Sequence, residues 1–416
     1  MAGDFSSNSE RIGTHIEKLT CNNSTPGSGI TRFSYTEQDR QARNYLLDRS
    51  AELGLQITID PVGNIRARLE GRDRDASPIL TGSHIDTVLH GGKYDGVVGV
   101  ACGLEALTVF TEKGFKPGRA IELIIFTEEE GVNFGAALAG SKALVGVYSP
   151  EDLQKLTNDN GVSMYQAAER FGLEPGTMDQ HVLKPAQIHA MVEVHIEQSL
   201  VLDIEKIPVG IVTGIAGMKR FKVEIEGQPN HAGATPMRYR KDPMVGAAEI
   251  ISTIEETSRS RALPATVGTV GRIICSPNAV NVIPEKVDLF VDTRDVDSAG
   301  MDTVSEALRD KLEHLAAERG LRYTITNMGK IEPTLCTETG VETLQESAEK
   351  RGIAHMPMSS GALHDTAVLA GITKIGMLFV PSIGGRSHVP EENTDLRDIT
   401  KASDVLIGAL QRLSEL

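Results

Sequence analysis

Between residues 78 and 126 the sequence alternates in a way that few architectures can satisfy. Pro78-Ile79-Leu80-Thr81-Gly82 reads as a short strand running into His84. Residues 96–113 are rich in Gly, Ala, Val and Leu and read as a helix buried on every side. Ile121-Glu122-Leu123-Ile124-Ile125-Phe126 is then a core strand, with an acidic triplet just past its end. Strands alternating with helices predict an α/β domain built on a mostly parallel sheet. Such sheets carry their sites at the C-terminal strand ends, which is where His84 and Glu128–Glu130 fall.

Five short stretches offer metal ligands at predicted strand ends or in loops: Ser83-His84-Ile85-Asp86, Tyr94-Asp95-Gly96, Glu128-Glu129-Glu130-Gly131, His195-Ile196-Glu197-Gln198 and Ser387-His388-Val389-Pro390. Imidazoles and carboxylates in this mixture suit two divalent ions bridged by one carboxylate, an arrangement that activates water for hydrolysis. Taken singly, each stretch has an ordinary explanation. His84 and Asp86 alone are a surface His beside a loop Asp, Asp95-Gly96 is a common turn, and His195 is a core histidine on a strand. The acidic triplet suits a helix N-terminus, which accounts for one or two of its members. Three adjacent acids still repel one another, and a cation removes that penalty. One Glu can bind metal while its neighbour moves the proton of the attacking water.

The rest of the sequence narrows the class. The 416 residues favour two domains. A net charge of −15, with no long Lys/Arg run, argues against nucleic acid and anionic membrane as partners. Trp is absent and aromatics are 4%, so base-stacking platforms are not expected. Cys21, Cys102, Cys275 and Cys336 are widely spaced, as free thiols in a reducing compartment are. No signal peptide or membrane span is read, so a cytoplasmic location is expected.

From Gly214 to Asn327 the pattern becomes β-α-β-β-α-β, a ferredoxin-like unit. Its strands fall near 221–226, 266–274, 286–293 and 322–326, with helices near 241–258 and 302–319. Residues 1–213 and 329–416 are therefore expected to form one discontinuous catalytic domain, interrupted by an inserted domain at 214–328. Gly210, Gly214 and Gly217 crowd the entrance as a possible hinge. In the insert, His231 lies in a loop, as either a surface turn or a donor to oxyanion charge. Asn281 is a further candidate. Arg294 is suited to a substrate carboxylate, although spacing alone favours an ion pair with Asp292 or Asp295.

These residues carry a resemblance. Gly82-Ser-His84-Ile-Asp86, Gly91-Gly-Lys-Tyr-Asp95-Gly, Glu129-Glu130-Gly131, His195-Ile-Glu-Gln198, His231-Ala-Gly-Ala-Thr-Pro-Met, Asn281-Val-Ile-Pro and Ser387-His388 are similar to motifs of the M20 superfamily of metal-dependent amidohydrolases. The branch is that of N-carbamoyl-L-amino acid hydrolases, allantoate amidohydrolases and β-ureidopropionases, and the similarity runs from about residue 10 to the C-terminus. It implies two divalent ions per subunit (Zn, Mn, Co or Ni), one on His84 and His195, the other on Glu130 and His388, with Asp95 bridging. Glu129 would be the general base, unless the pair is offset by one to include Glu128, and Asp86 would stand behind His84. Gln198, His231, Asn281 and Arg294 would bind substrate. The insert would close over the site and form a homodimer, with His231 serving the partner's site. Ser199, Asn133, Leu363 and Arg386 depart from the branch's usual residues, which bears on the substrate pocket. The implied reaction is hydrolysis of a ureido or amide C–N bond in a small carboxylate-bearing substrate, first an N-carbamoyl-L-amino acid. Allantoate and β-ureidopropionate are the alternatives, and a peptidase, aminoacylase or inactive metal-binding relative is further off.

Overall fold

Apolar strands of six or seven residues need neighbours on both edges and cover on both faces, and the computed structural model, which describes residues 5–416, supplies both. In chain order the strands begin with β1 (Gln56–Ile59), β2 (Ile65–Leu69), β3 (Ile79–His84), β4 (Ile121–Phe126), β5 (Ala190–Ile196) and β6 (Val209–Ile215). Those that follow in the chain are β7 (Gly217–Glu226), β8 (Asn230–His231), β9 (Val267–Ser276), β10 (Val282–Ile283), β11 (Lys286–Asp295), β12 (Arg322–Ile331), β13 (Thr334–Leu335), β14 (His355–Ser360) and β15 (Lys374–Val380).

The large sheet runs β1-β2-β4-β3-β5-β15-β6-β13, and β14 also pairs with β6. Its centre is parallel: β3 pairs with β4 and β5, and β5 with β15. The flanks, β1 with β2, β2 with β4 and β15 with β6, are antiparallel. The parallel expectation therefore holds for the four strands that carry the site. Register sets His84 opposite Phe126, two residues before the acidic triplet, and His195 opposite Phe379. All four central strands are buried almost throughout, as a doubly covered parallel sheet requires.

The helix Val97–Glu112 is buried along most of its length, and Ser9–Thr20 and Leu396–Glu415 pack in the same core. Thr36 caps Glu37–Glu52, its side chain accepting from Asp39 N. No element is expected from the sequence over residues 139–181. They form the short helices Ala139–Leu144, Pro150–Lys155 and Met164–Phe171 and a 3-10 segment, around a small core of Val62, Phe134, Leu153, Met164 and Met178.

Compactness divides the chain into two units. The first holds residues up to Thr213 with Cys336–Met358 and His364–Leu416; the second holds Gly214–Leu335 with Ser359–Leu363. Within the second, an antiparallel sheet in the order β12-β7-β11-β9 carries helices Pro243–Ser260 and Ser298–Arg319. This is the strand order of a ferredoxin-like unit with its β-α-β-β-α-β chain order. Burial alternates along β7 and β11 because one face packs on the helices through Val223, Ile225, Val287 and Leu289. β8 and β10 add a small antiparallel two-stranded sheet that pairs His231 with Val282.

Candidate metal centre

Two parallel strands end side by side with an imidazole each. His84 closes β3 and His195 lies near the end of β5, with ring centroids 5.8 Å apart. Asp95 enters from the turn before the Val97–Glu112 helix. Its Oδ1 lies 3.4 Å from His84 Nε2 and 3.2 Å from His195 Nε2. Its Oδ2 lies 3.3 Å from His388 Nε2, which is in turn 3.4 Å from Glu130 Oε2. Asp95 thus belongs to two ligand groups, His84–Asp95–His195 and Asp95–Glu130–His388.

The imidazole tautomers show what these groups are for. His84 Nδ1 is 3.0 Å from the Asp86 carbonyl and His195 Nδ1 is 2.9 Å from the Ile196 carbonyl. A carbonyl only accepts, so each Nδ1 carries a proton, and in the neutral ring each Nε2 presents a lone pair. The His84 lone pair faces carboxylate oxygens of Asp95 and, at 3.8 Å, Glu129. Acceptors facing acceptors at this range call for a cation among them. On His195 the Gly96 N–H reaches Nε2 at 3.2 Å. Glu130 Oε1 is buried without a hydrogen-bond partner. The donor set therefore fits divalent ions, and the absence of Cys leaves Zn, Mn, Co and Ni all compatible.

The electrostatics agree. Burial lowers the affinity of His84 for a proton, but Glu129, Asp95 and Asp86 outweigh it and hold the imidazole well above the usual range. Burial drives Glu129 well above the carboxylate range and, with Asp95, lifts Glu130 to about 7. His388, hydrogen-bonded to Asp95, rises to about 9. Groups that compete for protons in this way are groups that a cation would neutralise.

Backbone geometry positions each group. Gly96 has φ +66° and sits between the Asp95 carbonyl and the Val97 N–H, which bond at 2.7 Å across it. This one-residue turn with positive φ is strained for any residue with a Cβ. Its Cβ would lie 2.5 Å from His84 Nε2. Asp86 stands 3.6 Å from His84 Nδ1, but its carboxylate accepts from Glu129 N at 3.2 Å and Glu130 N at 3.0 Å. It thus fixes the acidic loop as well as flanking His84. Glu128 is turned elsewhere: at φ +54° its Oε1 accepts from Asn133 N and Phe134 N, each at 3.1 Å. Of the triplet, the structure brings only Glu129 and Glu130 to the imidazoles. Gln198, at φ +58°, donates from Nε2 to Asp95 Oδ2 at 2.7 Å.

Some supporting residues carry little signal in the sequence. Glu197 accepts from Val201 N and Leu202 N at 2.8 and 2.9 Å and so holds the loop after Gln198. Behind His195 lie Glu193 and His364, whose ring is 4.6 Å from that of His195. These three also form a His/Glu group. Both Glu193 oxygens, however, are taken, by Ser83 Oγ at 2.6 Å and by Thr366 Oγ1 at 2.6 Å, so the group reads as support. A buried acid on a strand interior was the available signal for Glu193.

The remaining candidates belong to the second unit. His231 Nδ1 accepts from Gly233 N at 3.0 Å and Ala234 N at 3.2 Å, which leaves Nε2–H as a donor on an exposed ring. Asn281 is exposed in the turn just before β10, its carbonyl accepting from Ala232 N. Arg294 forms the ion pair with Asp292 that its spacing favoured, Nε to Oδ1 at 3.0 Å, and its Nη1 donates to the Gly361 carbonyl. Among the departures, Asn133 donates to the Ser34 carbonyl, Leu363 is half-buried beside His364, and Ser199 and Arg386 are exposed.

Residues 80–412 match the family model described as peptidase family M20/M25/M40. The chain belongs to this family. Within M20/M25/M40 it is 38% identical to an N-carbamoyl-L-amino acid amidohydrolase of Geobacillus stearothermophilus, over 98% of each chain. It is 35% identical to an allantoate amidohydrolase of Bacillus subtilis, over 97% of each. Among solved structures, an amidase of the hydantoinase/carbamoylase family from Burkholderia multivorans superposes with a TM-score of 0.93 at 31% identity, covering 99% of this chain and 98% of that one. Membership makes the chain a metal-dependent hydrolase, and its His/Asp/Glu groups suit that chemistry. Among the described residues, no helix is long and apolar enough to cross a membrane.

Proposed function

We propose that this protein hydrolyses the ureido C–N bond of an N-carbamoyl-L-amino acid, giving the amino acid, CO2 and ammonia. The observation that carries the reading is Asp95, whose two oxygens face two separate ligand groups. Two divalent ions would be held there, one by His84 and His195 and the other by Glu130 and His388, and when bound they supply Lewis acidity for the carbonyl and a lowered pKa for water. Glu129 takes a proton from the attacking water and hands it to the departing nitrogen. Loss of ammonia leaves a carbamate on the amino acid nitrogen, which decarboxylates to the free amine. Gln198 orients the ureido group, with an amide that both donates and accepts. His231, Asn281 and Arg294 supply donors for the developing oxyanion and the substrate carboxylate. In this reading the second unit also pairs two copies of the chain, and its outer strands β9 and β12 each have one strand neighbour.

The allantoate amidohydrolase relative favours a second substrate, allantoate, for the same bond chemistry. Ammonia release separates them: Mn-loaded protein is offered N-carbamoyl-L-amino acids, N-carbamoyl-β-alanine and allantoate, with EDTA-treated protein as control, and N-acyl amino acids are followed by release of the free amino acid. Metal-dependent turnover of the N-carbamoyl-L-amino acids is expected. Turnover of allantoate alone would replace the substrate, and turnover of no ureide by protein with bound metal would refute the reaction.

A further inference from the structure

Asp95 is held from behind by a residue that the chemistry above leaves without a task. Glu392 is 4% exposed and lies about three hundred positions further along the chain. Its Oε1 accepts from two consecutive backbone donors, Tyr94 N at 2.8 Å and Asp95 N at 3.1 Å. Its Oε2 is 3.0 Å from Ser387 Oγ, and that hydroxyl is 2.9 Å from Asp95 Oδ2. Ser387 precedes His388 directly. One carboxylate therefore ties together the loop that carries Asp95 and the loop that carries His388.

Two further details say that this junction is built rather than incidental. A Cβ on Gly92 would fall inside the Glu392 side chain, so the Asp95 loop is shaped around that carboxylate. The Ser387 hydroxyl has one proton and two carboxylate neighbours, so it can donate to only one of them. A cation on Asp95 leaves that proton for Glu392 and resolves the conflict. Without one, two carboxylates compete for a single donor.

We propose that Glu392 is a positioning residue for the metal centre, fastening the Asp95 backbone directly and the His388 loop through Ser387, so that the affinity for both ions depends on it. The inference rests on the dinuclear reading of the site. Partners behind metal ligands change affinity by roughly 10–100-fold when removed. Glu392→Ala is expected at the upper end of that range for both ions. Glu392→Gln keeps an oxygen for the two N–H groups and an amide that can donate to Ser387, so it should stay within about tenfold of wild type. Ser387→Ala should weaken the ion on Glu130 and His388 more than the other.

The test is Mn2+ uptake by each full-length variant in chelator-buffered solution, read as bound metal per chain, with the melting temperature of the metal-free protein beside it. Loss of affinity in Glu392→Ala with little change in the metal-free melting temperature, rescued by Glu392→Gln, supports the proposal. Wild-type uptake by Glu392→Ala overturns it, and so does equal loss in the Ala and Gln variants. If Glu392→Ala does not fold, Ser387→Ala decides: selective loss of one ion supports the proposal and unchanged uptake overturns it. Wild-type protein that binds no Mn2+ would overturn this inference and the hydrolase reading together. Protein that binds two ions, shows the Glu392 effect and turns over no ureide would leave this inference standing and sink only the function.

Discussion

Gly96→Ala converts the close packing of Gly96 on His84 into a measurement. The new Cβ would lie 2.5 Å from His84 Cε1 and Nε2, against ordinary carbon contacts of about 3.5 Å or more. Either the imidazole or the Asp95 turn must yield by roughly 1 Å, and misplacement on that scale costs on the order of 100-fold in rate. Independently, the residue has φ +66° and ψ −43°, a conformation that costs a residue with a Cβ about 1–3 kcal/mol. The variant should therefore show three effects: a lower denaturation midpoint without metal, reduced bound metal, and a rate reduced about 100-fold at saturating metal. Equilibrium unfolding in EDTA reads the first, elemental analysis the second and ammonia release the third. A variant with wild-type metal content and wild-type turnover would refute the argument that Gly96 is required by its contact with His84.

Glu129→Gln should keep its metal and lose at least ~100-fold in rate, the usual scale for a general base; near wild-type turnover would remove Glu129 from that role. EDTA should lower the melting temperature, and Zn, Mn, Co or Ni should restore it, because a ligand bound only by the folded state adds about 2.7 kcal/mol at a hundred times its Kd; an unchanged melting curve counts against bound metal. His15 is buried, and that burial, aided by the charges on Arg11 and Arg49, pushes it down to about 4. Its contribution is complete above about pH 6.5 and is lost as the pH falls toward 4, up to about 3 kcal/mol. His15→Phe should flatten that part of the stability–pH curve, and a curve parallel to wild type would contradict the assignment. Arg32 is fully buried and donates to the Leu19, Asn22 and Ile85 carbonyls, so Arg32→Leu should cost about 1–3 kcal/mol in urea unfolding by leaving carbonyls without donors; a neutral result would mean that they find other partners.

Much of the architecture was legible because its signals are local. The strand Ile121–Phe126 and the helix Val97–Glu112 are marked by apolar runs of the lengths a buried strand and a buried helix need, and the β-α-β-β-α-β order of residues 217–331 follows from element sequence alone. Residues 139–181 were not legible, since three short helices around a small core have too few turns for a period to emerge. The second unit's strands also ran further than their apolar cores suggested; β12 continues through exposed residues to Ile331 because its partner β7 supplies the ladder.

At the site, residue types and their places at strand ends pointed to His84, Asp95, His195, His388 and the acidic triplet, and the family resemblance to Glu129 and Glu130 within it; the structure gathers these side chains. That much is determined locally, because parallel strands present their C-terminal ends on one edge and the chemistry of imidazole and carboxylate is intrinsic. Tertiary structure decided the rest. It turned Glu128 away through one positive φ, put Asp86 on the backbone of Glu129 and Glu130, chose the tautomers of His84 and His195, and paired Arg294 with Asp292. It also brought Glu392 under Tyr94 and Asp95. Each of these depends on a hydrogen bond whose direction is set by a backbone angle or by a partner remote in the chain, and neither leaves a periodic trace in the order of residues.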